Sequence, residues 1–168
     1  GNGSNQSALW PSLGYALDPC MSVWAGYGYT LTDPDEGSNR HEHRWWQQFT
    51  WSAKRWDWGS LSLRSRLEQR NIESADDVGW RFRQRFQLAV PFPNHDVTLI
   101  TSVEHFINLR DTDWGARSGF GQLRSYIGVR MPITDKLTLE AGYMNQHINR
   151  SNEDAVNHIA SLRLSAKY

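Results

Sequence analysis

From Ala8 to Tyr168 the chain alternates apolar and polar side chains in about nine segments, each bounded by clusters of Gly, Pro, Asn or Asp. A period of two is that of a β-strand, and no segment repeats persuasively at the helical period. The fold class expected is therefore all-β. The first segment sets Leu9, Leu13, Tyr15 and Leu17 on one face, and the second sets Met21, Val23, Ala25, Tyr27, Tyr29 and Leu31 there. In the fourth, Leu61, Leu63 and Leu67 oppose Arg64, Arg66, Glu68 and Arg70; in the fifth, Val78, Trp80, Phe82, Phe86 and Leu88 oppose Arg81, Arg83 and Arg85. One face of these strands is greasy, and the other carries ladders of arginine.

Length, at 168 residues, predicts a single domain over 1–168, with the polar stretch 1–7 as a flexible segment. No run approaches the roughly 18 apolar residues that a membrane-spanning helix requires, so a helical membrane protein is excluded. A membrane β-barrel is not excluded, because strands that alternate lipid-facing and interior residues look average on a hydropathy plot. The mean hydropathy of -0.66 is paired with nine Trp and 12% aromatic residues, which a disordered chain would lack. Cys20 stands alone, so neither an internal disulfide nor a cysteine zinc site is expected.

A soluble sandwich also alternates, but its apolar face needs a second sheet and its edges need protection. The chain end favours the barrel. Ala160, Leu162, Leu164, Ala166 and the terminal Tyr168 share one face, a pattern similar to the C-terminal recognition strand of Gram-negative outer-membrane barrels. That likeness implies the barrel-assembly machinery as a partner. Connections at 18–20, 54–59, 91–96 and 132–136 are short, while those near 33–41, 71–79, 109–119 and 149–156 are longer and acidic. Outer-membrane barrels have short periplasmic turns and longer extracellular loops, so 1–7 falls outside the cell. Nine strands is an odd number, and bacterial single-chain barrels are even. The expected architecture is a transmembrane antiparallel up-and-down β-barrel with nine strands visible, its parent having ten or twelve and the N-terminal strand or strands missing here.

With the apolar face toward lipid, the interior bases are Arg44, Arg64, Arg66, Arg70, Arg81, Arg83, Arg85, Arg124, Arg130, Arg163 and Lys167. Interior acids are Glu42, Glu68, Glu104 and Glu140, so eleven minus four leaves an excess of seven positive charges. The chain is nevertheless neutral, with 18 basic and 18 acidic residues, because acids collect in the loops. Burying an unpaired ion costs several kcal/mol, and Arg can clamp a carboxylate bidentately. A lumen network is therefore expected from Arg64, Arg66, Glu68, Arg70, Arg81, Arg83, Arg85, Glu104, Asn108, Arg124, Arg130, Glu140 and Gln146. It reads as a polar plug or, more sharply, as an anion-selective pore or a pocket for an acidic ligand. Nucleic acid is not expected, since the exposed loops are acidic.

Outward aromatic and histidine residues fit a membrane-interface girdle: Tyr29, His43, Trp45, Trp80, His105, His147 and His158 at one end, Tyr15, Trp51 and Tyr168 at the other. A lipid-modifying enzyme is the alternative for His105, although nearby Ser102 and Glu104 point to the opposite face and Ser125 is at unknown height. The acids of Asp33-Pro34-Asp35-Glu36-Gly37 and Asp76-Asp77 do not match EF-hand spacing, and no metal or cofactor is expected.

Five motifs in succession carry a family resemblance: Arg66-Leu67-Glu68-Gln69-Arg70, Arg81-Phe82-Arg83-Gln84-Arg85, Glu104-His105-Phe106-Ile107-Asn108, Gln122-Leu123-Arg124 and Glu140-Ala141-Gly142-Tyr143-Met144-Asn145-Gln146. Their order resembles the family called domain of unknown function 2490. The resemblance covers about residues 9–168 and implies an outer-membrane barrel with an inward Arg/Glu network and no established activity. Members usually begin with further strands containing Trp and Arg, which this chain lacks.

The functional expectation is a non-enzymatic protein of the bacterial outer membrane, a scaffold or narrow anion-favouring, porin-like conduit lined by the arginine ladder. Alternatives are a lipid-modifying enzyme and a partner-binding barrel completed by another segment at the N-terminal seam. Outer-membrane lipids and lipopolysaccharide are the expected surroundings.

Overall fold

The computed structural model describes residues 4–34, 38–150 and 154–167; Asp35, Glu36, Gly37, Glu153 and Tyr168 lie outside them. Every regular element among the described residues is a strand: β1 (Ser4–Leu9), β2 (Ser12–Ala16), β3 (Met21–Pro34), β4 (Arg40–Trp56), β5 (Gly59–Ile72), β6 (Gly79–Pro91), β7 (Thr98–Asn108), β8 (Gly119–Pro132), β9 (Leu137–Ile148) and β10 (Ala155–Ala166). They form one sheet in the order β1-β3-β4-β5-β6-β7-β8-β9-β10, with β2 also on β3. The chain is all-β, and consecutive strands from β3 onward are hydrogen-bonded neighbours.

Ten strands occupy nine places in the sheet. In the β1 ladder Leu9 faces Tyr29, and in the β2 ladder Ser12 faces Gly26, which is the same register carried across Trp10 and Pro11. The break has a local cause. Tyr27 N donates to Pro11 O at 3.1 Å, but proline has no N–H to return the bond. The first segment is thus one strand interrupted by Pro11, and it begins earlier than the alternation suggested. Ser4–Ser7, expected to be flexible, pair with Leu31–Pro34; backbone pairing tolerates polar side chains there, and Gln6 Nε2 also donates to Thr32 Oγ1 at 3.2 Å.

The chain divides into two compact units, one of Gly1–Thr50, Ser65–Arg83 and Phe106–Gly121, the other of Trp51–Arg64, Gln84–His105 and Gln122–Tyr168. Each has the same inverted polarity. In the first, the buried residues Glu42, Glu68, Arg83, Trp46 and Phe106 share the charged face, while Leu13 and Tyr15 on the apolar face are 82% and 71% exposed. In the second, Glu104, Gln122, Glu140 and Gln146 are buried, whereas Leu162 and Leu164 are 76% and 61% exposed. A water-soluble sheet would do the reverse.

Candidate functional site

The alternation of β5 and β6 brings Glu68, Arg81 and Arg83 to one face, and there Glu68 is fully buried. Arg81 donates to Glu68 Oε2 through Nε at 2.9 Å and Nη2 at 2.6 Å, and Arg83 Nη1 donates to Oε1 at 2.7 Å. The guanidinium groups of Arg44 and Arg66 stand 3.8 Å from the same carboxylate. Glu42 is held as firmly: Arg70 binds both its oxygens at 2.7 and 2.9 Å, and Arg44 Nε reaches Oε1 at 3.0 Å. Arg66 completes the cluster by donating twice to Gln48 Oε1, at 3.0 and 2.6 Å. Charge-assisted, bidentate bonds are the strong class of hydrogen bond, and they offset the cost of removing these ions from water.

Tryptophan on the charged face supports the arginines, a role the alternation did not reveal. The Arg66 guanidinium lies 3.9 Å from the centre of the Trp46 ring, Arg44 lies 5.0 Å from Trp10, and Arg70 lies 4.8 Å from Trp114. Phe106 serves Arg83 at 4.4 Å and Arg81 at 5.2 Å. Stacking occupies the guanidinium face and leaves its in-plane donors for carboxylates. The rings need room, and glycine supplies it: a Cβ at Gly26 would overlap the Trp46 indole, and one at Gly28 would overlap Trp10. Trp46 Nε1 is buried with no acceptor among the described residues.

In the second unit Arg64 Nη2 donates to Glu104 Oε1 at 2.6 Å. Glu140 receives Arg130 Nε and Nη2 at 2.9 and 2.7 Å, and Arg163 Nη1 at 3.4 Å. With the Gln122 amide turned so that its oxygen accepts from Arg124 Nε at 2.5 Å, Gln122 and Gln146 also join. Arg85 is half-buried on β6. Asn108 departs from expectation. At the last position of β7 its Nδ2 donates to Arg117 O at 2.9 Å, tying down the following loop instead of entering the ion-pair network.

Tyr15, Trp45, Trp51, His105 and His158 are exposed on the apolar face, and Tyr29, His43, Trp80 and His147 are half-buried. The His105 imidazole has no hydrogen-bond partner among the described residues, whereas those of His158 and His147 are tied in. Tyr143 Oη meets His158 Nδ1 at 2.5 Å, and His147 Nε2 lies 3.3 Å from Asp154. A longer chain is not visible from alternation: Tyr27 Oη to His43 Nδ1 at 2.5 Å, then His43 Nε2 to Glu73 Oε1 at 3.0 Å, with Tyr29 Oη on His41 Nδ1 at 2.6 Å beside it. The His43 bond holds the Glu73 carboxyl below the ordinary carboxylate range.

The acidic loops that follow β5 and β7 are tied together by hydrogen bonds. Asp113 accepts from the amides of Asp76 and Asp77, and Asp77 accepts from Asp113 N at 2.9 Å and Arg110 Nη2 at 3.0 Å. Asp111 accepts from Ser118 N at 2.6 Å, and the Ser118 bonds lower its pKa.

A sequence profile of proteins of unknown function, DUF2490, matches residues 1–157. The chain belongs to the DUF2490 family. An uncharacterised protein of Methylorubrum extorquens is 34% identical over 174 aligned residues, which cover 100% of this chain and 76% of the relative. The DUF2490 match takes in every network residue named above except Arg163, so the buried carboxylates Glu42, Glu68, Glu104 and Glu140 all lie within it.

Proposed function

We propose that this DUF2490 protein is a non-enzymatic β-barrel of the Gram-negative outer membrane, with its apolar face against lipid and its arginine-rich face lining a narrow, anion-favouring interior. One observation carries the reading: Glu68 is 0% exposed among guanidinium groups while Leu13 on the opposite face is 82% exposed. In water that arrangement loses twice, since buried ions are costly and exposed aliphatic groups gain nothing. In a bilayer it is the favourable arrangement, because lipid takes the apolar face and ion pairs satisfy the other.

The anion preference follows from an imbalance. In the first unit five guanidinium groups, from Arg44, Arg66, Arg70, Arg81 and Arg83, converge on two carboxylates, Glu42 and Glu68. The buried Trp46 N–H adds a donor. Rings of cationic side chains select anions in pores. Heat-modifiability of detergent-extracted protein tests the barrel: a boiling-dependent shift in gel mobility is expected, and identical mobility would count against it. Planar-bilayer reversal potentials test the lining; a cation preference would remove the conduit version and leave a scaffold.

A further inference from the structure

The apolar face of the first unit is not smooth, and one polar side chain stands in the middle of it. An open hollow of about 770 Å³ spreads across neighbouring strands from Leu13 on β2 to Phe82 on β6. Its central strand is β4, where Gln47 is exposed between Trp45 and Trp51 on the same face. A second hollow of about 380 Å³ also has Gln47 in its wall. The Gln47 amide has no hydrogen-bond partner among the described residues. Water would satisfy it, but hydrocarbon offers neither donor nor acceptor, so an unpaired amide among lipid tails is costly.

A carboxamide is its own complement. Two amides turned head to tail set each partly positive N–H against the other's partly negative oxygen and form two hydrogen bonds. Two copies inserted the same way in a bilayer are related by a two-fold axis along the membrane normal, and a residue on that axis meets itself. The hollow suits an axis through Gln47. Such an axis lays β3 of one copy against β5 of the other at equal height, and the two strands, one apart in the sheet, run the same way. Val23 precedes Ala25 on β3, and Ser65 precedes Leu67 on β5, so at each level an aliphatic side chain meets a small one. Small residues let backbones approach, and a polar group among them ties the contact. One strand further out, Leu13, 82% exposed, meets Phe82.

We infer that this face is the interface of a two-fold dimer, its occupant a second copy of this chain, with the two Gln47 amides paired on the axis. The inference rests on the proposal that this face meets lipid. Full-length protein labelled at its one exposed thiol, Cys20, with donor or acceptor dye and diluted in phosphatidylcholine vesicles tests it by energy transfer. Wild type is expected to associate, and Gln47→Leu should need about tenfold more protein per lipid, the scale of two interfacial hydrogen bonds in a membrane. That variant removes only an exposed amide, so its fold, checked by heat-modifiable gel mobility, should be unchanged. Geometry is read separately on a Cys20→Ser background. Leu13→Cys combined with Phe82→Cys should give cross-linked dimers with a short bismaleimide. Leu13→Cys alone should not, because the axis holds the two β2 strands four strand spacings apart, about 19 Å. Equal association of Gln47→Leu and wild type, or cross-linking by Leu13→Cys alone, would overturn the inference. Monomers at every dilution in protein that floats with vesicles would overturn it while leaving membrane insertion standing, and protein that does not float would overturn both.

Discussion

At the scale of single residues, burial decides which ion pairs matter. Glu68 is enclosed and holds Arg81 and Arg83, so Glu68→Leu strands two cations. A loss of about 3–5 kcal/mol is expected, the usual result of removing one partner from a buried pair. Arg163, 61% exposed and 3.4 Å from Glu140, is the contrast; Arg163→Ala should cost about 1 kcal/mol or less. Urea unfolding in lipid vesicles measures both. Glu73 supplies a pH signature. Its folded pKa is depressed by the His43 bond, so its contribution to stability is present above the unfolded carboxylate value of about 4.3 and is lost as pH falls through the folded value. Hydrogen exchange at the Glu73 amide, bonded to His41 O at 3.2 Å, should report this as lost protection in acid, and Glu73→Gln should lack that pH dependence.

Strands carry the second level, where glycine and tryptophan are paired across neighbours. Trp46 covers Gly26 and also stacks on Arg66. Gly26→Val therefore pushes the indole off its seat and is expected to cost about 1–3 kcal/mol, as overpacking does; near-ultraviolet circular dichroism and unfolding midpoint would read it. This pairing is not visible in the sequence. Alternation alone tells which face a side chain occupies, so the common face of Glu68, Arg66, Arg70, Arg81 and Arg83, and of Glu104 and Arg64, is legible in the sequence. It does not tell how high along the neighbouring strand a partner sits. For that reason the sequence does not reveal Trp10 and Trp46 as arginine supports or the Tyr27–His43–Glu73 chain, and it puts Asn108 on the network face although its side chain closes a loop. Pro11 was visible, yet its consequence, a strand broken without change of register, requires the β3 partner.

For the whole molecule, the two faces of the sheet make opposite demands on their surroundings, and a bilayer meets both. In the proposed membrane orientation the exposed apolar face lies in lipid. Spin labels on a background lacking the single thiol, Cys20→Ser, test it residue by residue along β10 in reconstituted vesicles. Labels at Leu162 and Leu164 should be accessible to oxygen and shielded from a water-soluble nickel complex, while a label at Arg163 should show the reverse. Ready access of the nickel complex to Leu162 and Leu164 would place that face in water and exclude the membrane orientation.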